Sequence, residues 1–174
     1  MLPYKPFLDV LRRGGVLLLP TETGWCLAAD ATHEAACARV RAAEVPGPEP
    51  ATVLLAGAGL LDRYLTRVPD LAPDLIEFAE KPLTIVFAQG KNVAPSALGP
   101  GGSLALRVVK SQPSYGLLEA FGRPVLSVPA AAPDGTEVPP PGVDAVWPTP
   151  AGTPGTPATI VRLGVGGEFE FLRK

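Results

Sequence analysis

Residues Gly14 to Ala31 read GGVLLLPTETGWCLAADA, and this stretch decides the fold class. The paired glycines at 14 and 15 stop any helix that runs into them. Val16–Leu19 is apolar without polar alternation, as expected of a strand buried on both faces. The PTETG segment is made of turn formers, and Leu27–Ala29 reads as a second short strand beyond it. On the amino-terminal side, Lys5–Arg13 predicts a helix with Phe7, Leu8 and Leu11 on one face. On the other side, Thr32 is placed to cap a helix from His33 to about Ala43, with Ala36, Val40 and Ala43 turned inward. Strand, turn, strand and helix in this order point to a layered α/β domain.

The same alternation continues to the end of the chain. Strands are expected at Thr52–Leu55, Leu83–Phe87, Leu104–Val109 and Val125–Val128. Helical segments are expected at about Leu60–Leu65, Leu71–Ala79 and Tyr115–Phe121. Thr159–Leu163 and Phe169–Leu172 predict a closing hairpin across Gly164–Gly167. Between Pro129 and Pro157 the chain is dense in proline and shows no periodicity, so it is read as an irregular loop. With 174 residues, one domain covering residues 1–174 is expected.

Composition narrows the function classes. The apolar fraction is 47% and the charged fraction 18%, but the apolar runs are broken by Gly and Pro. None approaches the roughly 18 residues of a membrane-spanning helix. The first residues carry no apolar segment after a basic one, so no secretory signal is read and a cytoplasmic protein is expected. Cys26 and Cys37 form no CxxC pair and His33 is the only histidine, so a reduced thiol state and no structural metal are expected. The formal charge of −2 does not advertise the basic face of a nucleic-acid binder, although a local basic pocket stays open. The glycine-rich pieces Leu55–Leu61 and Leu98–Ser103 complete neither a phosphate loop nor GxGxxG. They read as a helix start and a hairpin loop.

Four separated motifs carry a resemblance. GGVLLLPTETGWCLAADA, KPLTIVF at Lys81–Phe87, LALRVVKSQPSYGLLEAFGRPVLSVPAAAPDG at Leu104–Gly135, and ATIVRLG…FLR at Ala158–Arg173 follow one another with compatible spacing. Together they resemble the YrdC-like family of threonylcarbamoyl-AMP synthases, and most closely its single-domain branch. The resemblance implies a twisted mixed parallel/antiparallel sheet with flanking helices around a deep basic cavity. It implies a reaction that condenses ATP, L-threonine and bicarbonate into threonylcarbamoyl-AMP, for the threonylcarbamoyladenosine modification of tRNA. ATP and Mg²⁺ are the implied cofactors, with L-threonine, tRNA or double-stranded RNA as partners.

Carried over residue by residue, the family's pocket falls on Thr21, Thr23, Arg107, Thr159 and Arg173. Each has a plainer reading beside the functional one. Thr21 is also a loop-capping hydroxyl, Thr159 a β-branched strand residue, and Arg173 a solvated charge. An arginine in an apolar strand, as at Arg107, needs either a pocket anion or an internal ion pair. Other positions depart from the pattern. The family's KxR pair falls on Ala43 and Val45, followed by Pro46 and Pro50 at the family spacing. The serine and asparagine of its PSAN loop fall on Ala130 and Ala132, the serine of STIV on Ala158, and a glycine on Cys26. Arg39, Arg41 and Lys110 are nearby substitutes, the first two on a solvated helix face. Two readings fit: a synthase with weakened or altered activity, and an inactive homologue that binds RNA, a nucleotide or a protein.

Overall fold

A computed structural model of the chain describes residues 4–134, 139–148 and 155–174. These residues build a single nine-stranded mixed sheet, in the order Ala145–Val146, Leu17–Thr21, Gly24–Asp30, Val125–Pro129, Thr52–Leu55, Leu104–Val108, Leu83–Phe87, Thr159–Leu163 and Phe169–Arg173. The paired glycines do what the sequence requires. Helix α1 (Lys5–Arg12) ends at Gly14, whose φ is +79°, and a Cβ there would lie 2.5 Å from Nε2 of His33. Strand β1 (Leu17–Thr21) is buried at every position, and β2 (Gly24–Asp30) returns antiparallel to it. PTETG is therefore the turn of a tight hairpin, with Thr21 opposite Gly24 at φ +114°.

Helix α2 (Glu34–Ala42) starts differently from the expectation. Its cap is His33, whose Nδ1 accepts from the Ala36 N–H at 3.2 Å. The Thr32 hydroxyl is already committed, donating to Asp30 Oδ1 at 2.7 Å. Ala36 and Val40 are buried as predicted, but Ala43 is exposed just past the helix end. Strand β3 (Thr52–Leu55) leads to α3 (Leu61–Tyr64) and α4 (Ala72–Phe78), then β4 (Leu83–Phe87) and β5 (Leu104–Val108). Helix α5 (Ser114–Phe121) ends at Gly122 with a left-handed cap and hands over to β6 (Val125–Pro129).

Two apolar layers sandwich the sheet. One packs α2, α3 and α4 against Val53, Ile85, Leu106, Leu126 and Val161. The other packs α1 and α5 against Leu17, Leu54, Ala28 and Val125. The proline-rich stretch is not wholly irregular. Ala145–Val146 forms β7, parallel to β1 at the sheet edge, and Trp147 is 1% exposed beneath it. Its ring packs against Phe7 at 4.6 Å and Tyr4 at 5.9 Å between centroids. Asp144 accepts from the Val16 N–H at 2.8 Å, pinning the segment to the start of the founding strand. A buried indole and a ladder bond outweigh the lack of periodicity, which is why sequence pattern alone missed this element. The remainder of that stretch, at 135–138 and 149–154, lies outside the described residues. The chain closes with β8 (Thr159–Leu163), parallel to β4, and β9 (Phe169–Arg173), which pairs only with β8.

Candidate functional site

Directly paired residues of adjacent strands share a face of the sheet. Leu54, Arg107, Thr84 and Ile160 therefore line up across β3, β5, β4 and β8, on the face away from α2 to α4. Thr52 and Ser127 form the next polar pair on β3 and β6, and the Ser127 hydroxyl donates to the Thr52 carbonyl at 2.8 Å. The β1–β2 turn brings its side chains to this row. A cavity of about 20 Å³ remains among Thr23, Cys26, Glu49, Thr52, Arg107 and Ser127.

Thr21 is spent on the turn. Its hydroxyl donates to the Gly24 carbonyl at 2.9 Å, lies 3.1 Å from the Thr23 hydroxyl, and accepts from the Thr23 N–H at 3.3 Å. The residue between them, Glu22, faces Arg107, with Oε1 3.5 Å from Nε. Arg107 is 4% exposed, and its Nε has no hydrogen-bond partner among the described residues. Burial pulls its guanidinium below the ordinary value, and the Glu22 carboxylate is the largest opposing influence. A buried guanidinium whose one ion pair among the described residues is long retains capacity for an anion.

Arg173 is turned inward, with Nε donating to the Ala158 carbonyl at 2.9 Å and Nη2 to the Glu49 carboxylate at 2.5 Å. Glu49 comes from the proline-rich loop after α2 and lines the same small cavity as Arg107. Where the resemblance has the serine of STIV, the backbone oxygen of Ala158 receives Arg173. Thr159 is on the opposite face, where it lines a groove with Leu83, Val161 and Phe171. Thr23 and Arg107 thus line one small cavity, which Thr21 adjoins through Thr23 and Arg173 through Glu49, while Thr159 lies elsewhere. The two glutamates went unnoticed in the sequence. Glu22 stands inside the signature loop, and Glu49 sits between Pro48 and Pro50.

The substitute cations are engaged. Arg41 is half-buried and donates to the carbonyls of Ser96 and Leu98 at 3.0 and 3.2 Å, so it is not on a solvated face. Arg39 reaches Gly142 and Asp144, and Lys110 holds the carbonyls of Ile76 and Ala79 at the end of α4. Val45 is 63% exposed and Ala132 is exposed, while Ala130 is half-buried. Beyond the small cavity, the same face opens into a cleft of about 710 Å³. Its walls include Pro48, Pro50, Val86, Ala105, Ile160 and Leu172, so it is mainly apolar. Its charged lining is balanced, with Arg41 and Arg162 against Glu168 and Glu170, and Arg162 is paired with Glu170 at 3.0 Å.

A family model described as "Telomere recombination", built on Sua5, YciO and YrdC, matches residues 9–174. The chain belongs to the Sua5–YciO–YrdC family. It is 30% identical over 125 residues to a threonylcarbamoyl-AMP synthase of Hahella chejuensis, covering 71% of this chain and 68% of that protein. It is 34% identical over 119 residues to the enzyme of the same name in Chromohalobacter salexigens, covering 67% of this chain and 64% of that protein. The fold is that of Sua5 from P. abyssi complexed with L-threonine, with a TM-score of 0.75 and 23% identity. That match covers 92% of this chain and 50% of Sua5. E. coli YciO gives a TM-score of 0.75 at 22% identity, covering 98% of this chain and 88% of YciO.

Both cysteines of this YrdC-like chain are free and buried, and burial pushes each thiol up to about 12. Among the described residues, no three or more His, Cys, Asp or Glu side chains converge as a metal site. No helix among the described residues is long and apolar enough to cross a membrane.

Proposed function

We propose that this YrdC-like domain derives from threonylcarbamoyl-AMP synthases and runs their reaction only weakly, its main retained property being the binding of a nucleoside-like ligand. The reaction in question joins ATP, L-threonine and bicarbonate to give threonylcarbamoyl-AMP and pyrophosphate, for tRNA modification. One observation carries the reading. The two arginines assigned to the pocket are already paired, Arg107 with Glu22 and Arg173 with Glu49, and the small cavity that Arg107 and Glu49 line is about 20 Å³. That volume is far below what an amino acid and a polyphosphate need. The adjoining cleft of about 710 Å³ is in the range of small-molecule sites and is mostly apolar. Such a wall suits a planar base and ribose better than a triphosphate.

The missing KxR cations act in the same direction. Each lost charge-assisted contact costs about 1.5–3 kcal/mol. Two such losses lower transition-state stabilisation by roughly a hundred- to ten-thousand-fold. A binding role for tRNA or double-stranded RNA is the weaker alternative, because the cleft's charges cancel and phosphate backbones select a basic surface.

The test is pyrophosphate release from ATP by purified protein, with and without L-threonine and bicarbonate. Slow or undetectable turnover is expected, and turnover equal to that of the curated relatives would overturn the proposal. Calorimetry then compares adenosine with ATP, which should bind the parent chain about equally. Ala43→Lys combined with Val45→Arg should strengthen ATP binding and leave adenosine unchanged. Unaltered ATP affinity in that variant would show that the phosphates do not lie beside the loop after α2.

A further inference from the structure

We infer that Glu49 is a specificity-determining residue: its carboxylate takes up the charge of Arg173, so that a phosphate on a ligand in the cleft gains no partner there. The inference rests on the nucleoside reading of the cleft given above. Two local features aim the pair at each other. Phe171 lies opposite Val161, and both line the groove on the α4 side of the sheet. In a regular strand Arg173, two residues on, would share that face. The bulge in β9 makes Leu172 an extra residue, and Arg173 falls opposite Ile160 instead. Ile160 and Leu172 both line the cleft. A bulge re-aims a side chain in this way, and such bulges are frequent beside functional sites. Glu49 arrives on the loop after α2, between Pro48 and Pro50, which also line the cleft. A residue before proline is restricted to extended backbone, so the carboxylate is presented with little freedom. Pro50 lines the small cavity as well, together with Glu49 and Arg107, and this places the pair at the seam between the two spaces.

The charges at this seam sum to zero. Arg107 faces Glu22 and Arg173 holds Glu49. Further out, Arg162 is paired with Glu170 and Arg41 with Glu44. Each arginine at the cleft or the seam thus has a carboxylate of the chain itself. Arg173 differs from the others in how it is held. Its Nε and Nη2 both donate to the Ala158 carbonyl, at 2.9 and 2.8 Å. The backbone therefore fixes the guanidinium, and Glu49 supplies its counter-charge. Loss of that carboxylate leaves the guanidinium in place with its charge uncommitted, and contacts between guanidinium and phosphate are among the strong ones. The two side chains are 26% and 23% exposed, so the pair is accessible to a ligand group entering from the cleft. One carboxylate thus decides whether the inner end of the cleft is neutral or basic.

Calorimetry of the full chain with adenosine, AMP and inorganic phosphate tests the inference. Glu49→Ala, and Glu49→Gln to keep the size of the side chain, should each raise the ratio of AMP to adenosine affinity at least about tenfold, the worth of one charge-assisted contact. Adding Arg173→Met to Glu49→Gln should abolish the gain. A merely structural Glu49 would change adenosine and AMP binding alike and leave the ratio where it was. An unchanged ratio in Glu49→Gln, or a gain that survives Arg173→Met, would overturn the inference and leave the nucleoside reading standing. Failure of adenosine to bind the parent chain would instead overturn the nucleoside reading, and inorganic phosphate then decides the role of Glu49. Tighter phosphate binding by Glu49→Gln than by the parent upholds that role, and equal binding overturns it.

Discussion

Replacing Glu22 with Gln removes the nearest counter-charge of Arg107 while keeping the size of the side chain. Arg107 is 4% exposed, and the side chain of Glu22 is 15% exposed at 3.5 Å. Removing one partner of a buried ion pair costs about 3–5 kcal/mol, because the remaining charge is left uncompensated in a poorly polarisable site. The long contact and the partial hydration of Glu22 place the expected loss at the lower end, about 3 kcal/mol. With a urea slope of about 2 kcal/mol per molar, the midpoint should fall by about 1.5 M at unchanged slope. Adding Arg107→Met to Glu22→Gln should recover most of that loss, since an apolar pair of similar volume needs no counter-charge. The site reasoning adds a second arm. L-threonine supplies a carboxylate, so it should stabilise Glu22→Gln more than the parent, by about 1.4 kcal/mol at ten times its dissociation constant. A midpoint shift under about 0.5 M would refute the claim that Glu22 neutralises Arg107. Equal threonine effects on parent and variant would refute the claim that Glu22 occupies an anion site.

Trp147→Ala should destabilise the chain by about 3–5 kcal/mol in the same assay, because a fully buried indole is lost from its seat against Phe7. A cost under about 1 kcal/mol would show that the β7 segment is not part of the core. The two thiols are raised to about 12 in the fold, so below pH 8 they contribute nothing to the pH dependence of stability. Above about pH 9 the unfolded thiols ionise while the folded ones do not, and stability should fall with rising pH until about 12, by up to 1.4 kcal/mol per pH unit for each cysteine. Thiol-reagent titration at pH 8 should accordingly label both cysteines only after unfolding. Gly155→Ala should loosen the segment over the signature turn, since a Cβ there would lie 2.3 Å from the backbone of Thr23 and Gly24. Faster hydrogen exchange at Thr156, whose N–H donates to the Glu22 carbonyl at 2.9 Å, is the expected readout.

Much of this protein is local and was legible in its sequence. The Gly14–Gly15 stop, the buried strand after it and the PTETG hairpin follow from turn chemistry and hydrophobic period, which act over a few residues. The same holds for the strands at Thr52–Leu55, Leu83–Phe87 and Thr159–Leu163, whose bounds agree with the structure. That Ala43, Val45, Ala130, Ala132 and Ala158 depart from the pattern the chain resembles is also read from the sequence. Tertiary structure decided the rest, because each outcome is a competition among partners far apart in the chain. Thr32 and His33 are both able to cap α2, and the buried Asp30 settles the matter by taking the Thr32 hydroxyl. Trp147 in a proline-rich stretch becomes core only because α1 offers Phe7 and Tyr4 beneath it. From sequence, Arg107 reads as a pocket cation or one half of an internal ion pair, and Arg173 as a pocket cation or a solvated charge. Whether a cation faces a ligand or its own chain depends on which carboxylate the fold delivers, and here folding brings Glu22 to one and Glu49 to the other.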